Sequence, residues 1–337
     1  MFDFQRIFTD RKRQSPNAKL SAEQNKALTI AKSPWVRYNR AKFSLRNVAS
    51  GERCIQKGIK IMIHKTIHLA DVYPRLGENQ CDPKLTVYLP DNMTEIGRHH
   101  QKHPCLLICP GGGYGMVSQR EGEPIGFRFL TEGYNVFVLE YSVQPNRFPT
   151  QLREVAAAME LIYANAQAWH CDTDHVAIMG FSAGGHLAAH YTNAYDWPEV
   201  RAMFPESKAV NASILCYPVI TADPMHAHLG SFRNLLGKEE LTREEQLRFS
   251  CENMVSERTP PTFLWHTRTD PLVPVMNTLL YAQSLAKCNV PFAVHIYPEG
   301  HHGLSTVDKW CNGQLSPATQ HAGDWFDASI KWLSFTF

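Results

Sequence analysis

One short stretch limits the folds open to this chain more than any other: Gly180-Phe181-Ser182-Ala183-Gly184. Before it runs His175-Val176-Ala177-Ile178-Met179, a short apolar segment that reads as a buried strand. After it comes Gly185-His186-Leu187-Ala188-Ala189, which is compatible with a helix. A chain that passes from strand to helix this abruptly must hold the residue at the turn in a strained conformation. Glycines two positions either side remove the side chains that would collide across it. The consequence is a serine hydroxyl raised above a sheet edge, where a nucleophile is useful.

The rest of the sequence agrees with such a sheet. Strand-like runs occur at Ile59–Ile63 continuing to Leu69, then at Leu85–Leu89, Cys105–Cys109, Val136–Tyr141 and Val176–Met179, followed by Ala212–Tyr217, Thr262–His266 and Phe292–Tyr297. Helical patterns alternate with them, which predicts βα units around an eight-stranded, mostly parallel sheet in a three-layer αβα sandwich. Between Gln151 and Gln167, the residues Leu152, Val155, Ala156, Met159, Ile162 and Tyr163 fall on one helical face. Further helices are expected after Ser182, over Val275 to Lys287, and over Ala322 to Leu333, with Trp325, Phe326, Ile330 and Leu333 inward. The charged stretch 222–261, closed by Pro260-Pro261, predicts a helical excursion over the carboxyl edge of the sheet.

Length allows one large domain at 58–337 behind an extension at 1–57. The extension holds 13 Lys and Arg against 4 Asp and Glu, so the overall charge of +2 leaves −7 on the rest. This basic arm comes without any RNA- or DNA-binding module, and a solvated segment is the expectation in place of a nucleic-acid or membrane surface. With 44% apolar and 20% charged residues the composition excludes collagen-like and wholly disordered classes. No apolar run reaches the length of a membrane span, and the start lacks a secretory pattern, so a cytoplasmic location is expected. Nine cysteines without a clustered framework read as reduced, buried thiols.

A serine hydroxyl is a weak nucleophile until a base takes its proton. After the strand Thr262–His266 comes Thr267-Arg268-Thr269-Asp270-Pro271, which offers Asp270 as the acid. After Phe292–Tyr297 comes Pro298-Glu299-Gly300-His301-His302-Gly303, which offers a histidine. Acyl transfer also needs donors for an oxyanion, and backbone N–H groups in a glycine-rich loop provide them. Pro110-Gly111-Gly112-Gly113-Tyr114-Gly115 follows the strand Cys105–Cys109, so the N–H groups of Gly113 and Ala183, with Gly112 as a third, are the candidate donors. No Gly-Lys-Ser/Thr follows that loop, which argues against a phosphate cradle. The polar run behind it, with Tyr114 and Glu121, is expected to touch substrate. His99, His100 and His103 lack Cys or carboxylate partners at ligand spacing, so no metal is expected. His226 and His228 sit in the excursion, and His186 is expected to pack on the helix after Ser182.

These pieces resemble the esterase/lipase branch of the α/β-hydrolases, specifically its acetylxylan-esterase-like and dienelactone-hydrolase-like members. The resemblance rests on Pro110–Tyr114, Gly180–Ala188, Thr259–Thr267 and Pro298–Leu304, and covers about residue 60 to the end. It implies the α/β-hydrolase fold, a Ser182–Asp270–His302 triad with the base directly before a glycine, no cofactor, and short-chain, chiefly acetyl, esters carried on carbohydrate. A small-molecule or oligosaccharide ester is then the partner, and a homodimer is compatible with it. Two other readings use the same residues: a serine peptidase of the prolyl-oligopeptidase type, whose large gating domain is missing here, and a non-catalytic scaffold, which would usually lack part of the triad.

Overall fold

The computed structural model describes residues 62–80 and 82–337. The basic extension at 1–57 and the expected start of the first strand at Ile59 lie outside them. Eight strands form one sheet: β1 (Ile63–His68), β2 (Lys84–Leu89), β3 (His103–Cys109), β4 (Asn135–Glu140), β5 (Cys171–Phe181), β6 (Ala212–Cys216), β7 (Thr262–Thr267) and β8 (Phe292–Tyr297), in the order β1-β2-β4-β3-β5-β6-β7-β8. β1 pairs antiparallel with β2, and β2 with β4; every other pairing is parallel. The order reverses around β3 and β4, as in doubly wound sheets.

The middle strands carry continuous apolar runs because both of their faces are covered. In β6 and β7 every residue is buried. On one face lie α2 (Thr150–Ala164), α3 (Ala183–Ala194) and α6 (Met276–Lys287); on the other lie α1 (Glu123–Thr131) and α7 (Trp325–Thr336). The first core contains Leu152, Val155, Ile162, Leu187, Tyr281 and Leu285, and the second contains Ile125, Phe129, Trp325, Phe326 and Leu333. The apolar face predicted for α2 is the buried one. Between β6 and β7 the chain makes its excursion, with α4 (Leu229–Leu236) and α5 (Arg243–Phe249). A capping box between Thr242 and Glu245 starts α5.

Several boundaries differ from the sequence expectation, β5 for instance starting at Cys171 and not Val176, and three of the differences have a visible local cause. The first strand does not continue to Leu69, because a helical turn, Leu69–Val72, begins there with Leu69 fully buried. β6 ends at Cys216, since Tyr217 has φ 35° and departs from extended backbone once its N–H has bonded the Trp265 carbonyl of β7. The last helix begins at Trp325, after a 3₁₀ turn over His321–Asp324.

Parallel strands bring their carboxyl ends to one edge. Pro110 after β3, Ser182 after β5, Tyr217 after β6, Asp270 after β7 and His302 after β8 are therefore neighbours, although the chain separates them widely. The elbow itself depends on missing side chains. A Cβ on Gly180 would lie 2.1 Å from the carbonyl oxygen of Gly184, and one on Gly184 would lie 2.1 Å from that of Cys109. Backbone cannot move aside there without parting β3 from β5. We expect Gly184→Ala to lower stability by about 3 kcal/mol or to prevent folding, the upper end for overpacking, as measured by thermal unfolding beside the wild type.

Candidate active site

Ser182 stands at the junction of β5 and α3 with φ 53° and ψ −119°, a positive-φ conformation that non-glycine residues rarely adopt. Its N–H donates to the Cys216 carbonyl at 3.0 Å, and its own carbonyl accepts from His186 and Val219. The strained turn is thus fastened to β6 on one side and to its own helix on the other. Its Oγ is 2.7 Å from Nε2 of His302.

His302 also stands 2.7 Å, through Nδ1, from Oδ2 of Asp270. The remaining Asp270 oxygen accepts from the N–H groups of Leu272 and Val273 at 2.9 and 3.0 Å. Thr267 at the end of β7 and Thr269 on the acid loop hold Gly300 on the base loop through their hydroxyls. These segments are thereby joined by three hydrogen bonds. His301, by contrast, is exposed, with Nδ1 2.8 Å from the carbonyl of His302. Successive residues of the loop face opposite ways, and His302 is the one that faces Ser182.

The Asp270 side chain is fully buried. Burial alone would raise its carboxyl, but hydrogen bonds from His266 and His302, the charge of His302 and the Val273 N–H hold it well below the usual carboxylate range. His266 had no role assigned from sequence. Its Nε2 lies 3.4 Å from Oδ2 of Asp270 and 2.9 Å from the Val273 carbonyl, while Nδ1 is 2.8 Å from the Thr278 hydroxyl. The signal for it was a histidine closing an otherwise apolar buried strand.

The glycine-rich loop lies beside the elbow. A Cβ on Gly111 would be 2.9 Å from Cβ of Ser182, and Gly112 and Gly113 both have positive φ. Among the described residues, the N–H groups of Gly112, Gly113 and Ala183 donate to no protein acceptor. The excursion fixes this loop from outside, for Asn234 Nδ2 donates to the Gly113 carbonyl at 2.8 Å. His228 caps the same helix, half-buried, its Cε1 3.9 Å from a Cβ built on Gly113 and its Nδ1 2.8 Å from Ser231 Oγ. Burial and the nearby His302 charge lower its basicity against a weaker pull from Asp270, so the ring stays neutral near pH 7. His226 makes its contact through its backbone carbonyl, to Asn277.

Two residues expected to touch substrate do not face it. Tyr114 is 1% exposed and folds inward, its hydroxyl 2.8 Å from Nδ1 of His186, whose Nε2 is 2.9 Å from the Phe249 carbonyl. His186 is thereby packed and hydrogen-bonded, as expected. Glu121 is 2% exposed and accepts from the Gly111 N–H at 2.9 Å and the Tyr217 hydroxyl at 2.7 Å. Within this polar run the Glu121 side chain turns inward, whereas Gln119, Arg120 and Glu123 stay exposed. Ser118 and Gln119 instead line a polar cleft of about 640 Å³, together with Glu123 and Glu140, on the β4 side of the glycine-rich loop. That cleft borders the loop, but Ser182, Asp270 and His302 do not line it.

The BD-FAE family model matches residues 85–285, the span from β2 through the elbow and Asp270 to α6. The chain belongs to the BD-FAE family. It thereby sits in the esterase branch of the α/β-hydrolases. Among curated relatives, the endo-1,4-beta-xylanase B of Butyrivibrio fibrisolvens is 35% identical over 244 residues, covering 68% of this chain and 38% of the relative. The acetylxylan esterase of Xylanibacter ruminicola is 31% identical over 225 residues, covering 66% of this chain and 43% of the relative. The chain spans about two fifths of the length of these relatives. Among solved structures, the acetyl ester-xyloside bifunctional hydrolase of Caldicellulosiruptor lactoaceticus superposes with a TM-score of 0.70 at 33% identity, over 80% of this chain and 96% of that one. The carboxylesterase Cest-2923 of Lactobacillus plantarum does so with a TM-score of 0.67 at 26% identity, over 82% and 98%.

Asp270 makes stability depend on pH with a definite sign. Its carboxyl titrates lower in the folded chain than the unfolded value of about 3.9. Its stabilising contribution is complete above that value and is lost as pH falls toward the folded one. We expect Asp270→Asn to be less stable than wild type at pH 7, and the gap to narrow below about pH 4, measured as urea midpoints from pH 7 to pH 3.

Proposed function

We propose that this protein is a serine carboxylesterase acting on short acyl esters, acetyl above all, carried on a carbohydrate alcohol. The observation that carries the proposal is the continuous hydrogen-bonded chain from Ser182 Oγ through His302 to Asp270, beside N–H groups without a protein acceptor. The similar proteins named acetylxylan esterase and acetyl ester-xyloside bifunctional hydrolase support the choice of substrate.

In the first half-reaction Ser182 Oγ bonds to the ester carbonyl carbon while its proton passes to Nε2 of His302. The carbonyl oxygen takes up the negative charge and is met by the N–H groups of Gly113 and Ala183, with Gly112 as a third donor. Collapse breaks the carbon–oxygen bond to the alcohol, which leaves with the proton from His302. Water then repeats the sequence on the acyl-enzyme, its proton going to His302 and returning to Ser182 as the acid departs. Asp270, held ionised, keeps the imidazole in the tautomer that presents Nε2 to Ser182 and stabilises the imidazolium between the two proton transfers. None of these steps calls for a metal or an organic cofactor.

Ser182→Ala is expected to lower turnover of p-nitrophenyl acetate by on the order of 10⁶ with the fold retained. His302→Ala is expected to be inactive as well, and His301→Ala to keep substantial activity; the opposite pattern would move the base to His301.

Substrate class is decided by a series from p-nitrophenyl acetate to decanoate, run beside acetylated xylo-oligosaccharides. An apolar acyl pocket gains about 0.8 kcal/mol per buried methylene and would favour long chains. We expect kcat/KM to be highest at acetate, with release of acetate from the oligosaccharide. A steady rise toward octanoate would overturn the short-acyl reading, and inert oligosaccharides would remove the carbohydrate part alone.

A further inference from the structure

Glu121 is a buried carboxylate without a cation partner among the described residues, a costly arrangement unless its hydrogen bonds do something a neutral side chain would not. Its two oxygens reach two different pieces of the site. Oε2 accepts from the N–H of Gly111, at the root of the glycine-rich loop. Gly111 separates the carboxylate from the nucleophile, because a Cβ built there would be 2.7 Å from Oε2 on one side and 2.9 Å from Cβ of Ser182 on the other. Oε1 accepts from the hydroxyl of Tyr217, which in turn accepts from the N–H of Ser305 at 2.9 Å. Ser305 lies three residues beyond His302, and the ring of Tyr217 meets that of His302 edge-on, with centroids 5.1 Å apart.

The neighbouring residue closes the same arrangement. The Arg120 carbonyl accepts from the Ser305 hydroxyl, and the Arg120 guanidinium occupies the space beside Gly303, where a Cβ would come within 2.3 Å of it. Tyr217 has φ 35°, so its backbone is strained into the position from which the hydroxyl reaches both partners. Burial foremost, with the charge of Glu121, pushes the phenol well above its ordinary pKa, so it remains a donor to the carboxylate.

We propose that Glu121 and Tyr217 are a positioning pair that ties the oxyanion-binding loop to the loop carrying His302, so that donors and base are set relative to Ser182 as one unit. This rests on the reading of Ser182 as nucleophile. Neither residue touches substrate; each acts through the loops it holds. Such coupling bears on the transition state, where the oxyanion and the imidazolium exist together, and hardly on the ground state.

The test compares Glu121→Gln, Tyr217→Phe and the double variant with wild type and Ser182→Ala. The glutamine fills the same volume, but one amide can accept through one end only, and the phenylalanine removes a single hydroxyl. Kinetics on p-nitrophenyl acetate are read together with affinity for a trifluoromethyl ketone, whose adduct on Ser182 carries the oxyanion, and with thermal midpoints as a check of folding. We expect each single variant to lose about 10- to 100-fold in kcat with KM changed less than about threefold. The ketone affinity should fall by a similar factor. The double variant should be no worse than the poorer single one, as for two members of one linkage.

A folded Glu121→Gln and a folded Tyr217→Phe with kcat within twofold of wild type would overturn the pairing, as would multiplying effects in the double variant or a loss confined to KM. Should Glu121→Gln not fold, Tyr217→Phe decides alone. Those failures, with Ser182→Ala inactive, would leave the esterase reading standing; full activity of Ser182→Ala would remove both.

Discussion

The close approach of backbone to backbone around Ser182 is the constraint on which the rest of the structure depends. β5 must run into α3 within a few residues while β3 and β6 press from either side, and only glycine leaves enough room. At Gly180 and Gly184 an added Cβ would sit 2.1 Å from a carbonyl oxygen, and at Gly185 it would be 2.7 Å from Pro218. Because that space is kept clear, the glycine-rich loop after β3 can lie directly against the elbow. The strain at Ser182 is offset by three backbone hydrogen bonds that give the turn no alternative path.

Around this point the buried polar groups form a continuous system in which each member limits the others. Asp270 has both oxygens occupied, so it stays ionised in a site that would otherwise favour the neutral acid. His302 is then directed by Asp270 on one ring nitrogen and meets Ser182 with the other. Tyr114 and His186 add a second anchor at the far end of the glycine-rich loop, joining it to the helix that begins at the nucleophile. Burial lowers the basicity of His186 to a pKa of about 4 against the hydrogen bond to Phe249, so its ring is neutral at physiological pH and serves as a fixed link. In a low-dielectric setting such links are stiff when fully satisfied, and stiffness is what an oxyanion site needs.

The order and type of the elements were legible because periodicity is local. Apolar runs of strand length, one-sided helical spacing in α2 and proline or glycine punctuation each depend on a few adjacent residues. The candidate residues Ser182, Asp270 and His302 were legible for a related reason, since each follows directly on a buried strand and parallel strands share a carboxyl edge. The boundaries that shifted did so where tertiary contacts outweighed propensity: Leu69 turns into a helix to bury its side chain, and Tyr217 leaves β6 with its hydroxyl between Glu121 and Ser305.

The sequence by itself determined the sheet-and-helix alternation, the strand-turn-helix at Ser182 and the edge to which the reactive residues belong, because all of these are set by neighbours along the chain. Only the tertiary structure decided which way the side chains of the loops turn. Glu121 and Tyr114 are expected from the sequence to touch substrate, yet the loop bends them inward onto Tyr217 and His186. His266 has no role that the sequence alone assigns, and the fold sets its Nε2 3.4 Å from Oδ2 of Asp270. His301 and His302 are neighbours in sequence, and only the fold assigns one to solvent and the other to Ser182. A loop has no period from which orientation can be read; what fixes it is contact with segments tens of residues away, and those contacts exist only once the sheet has formed.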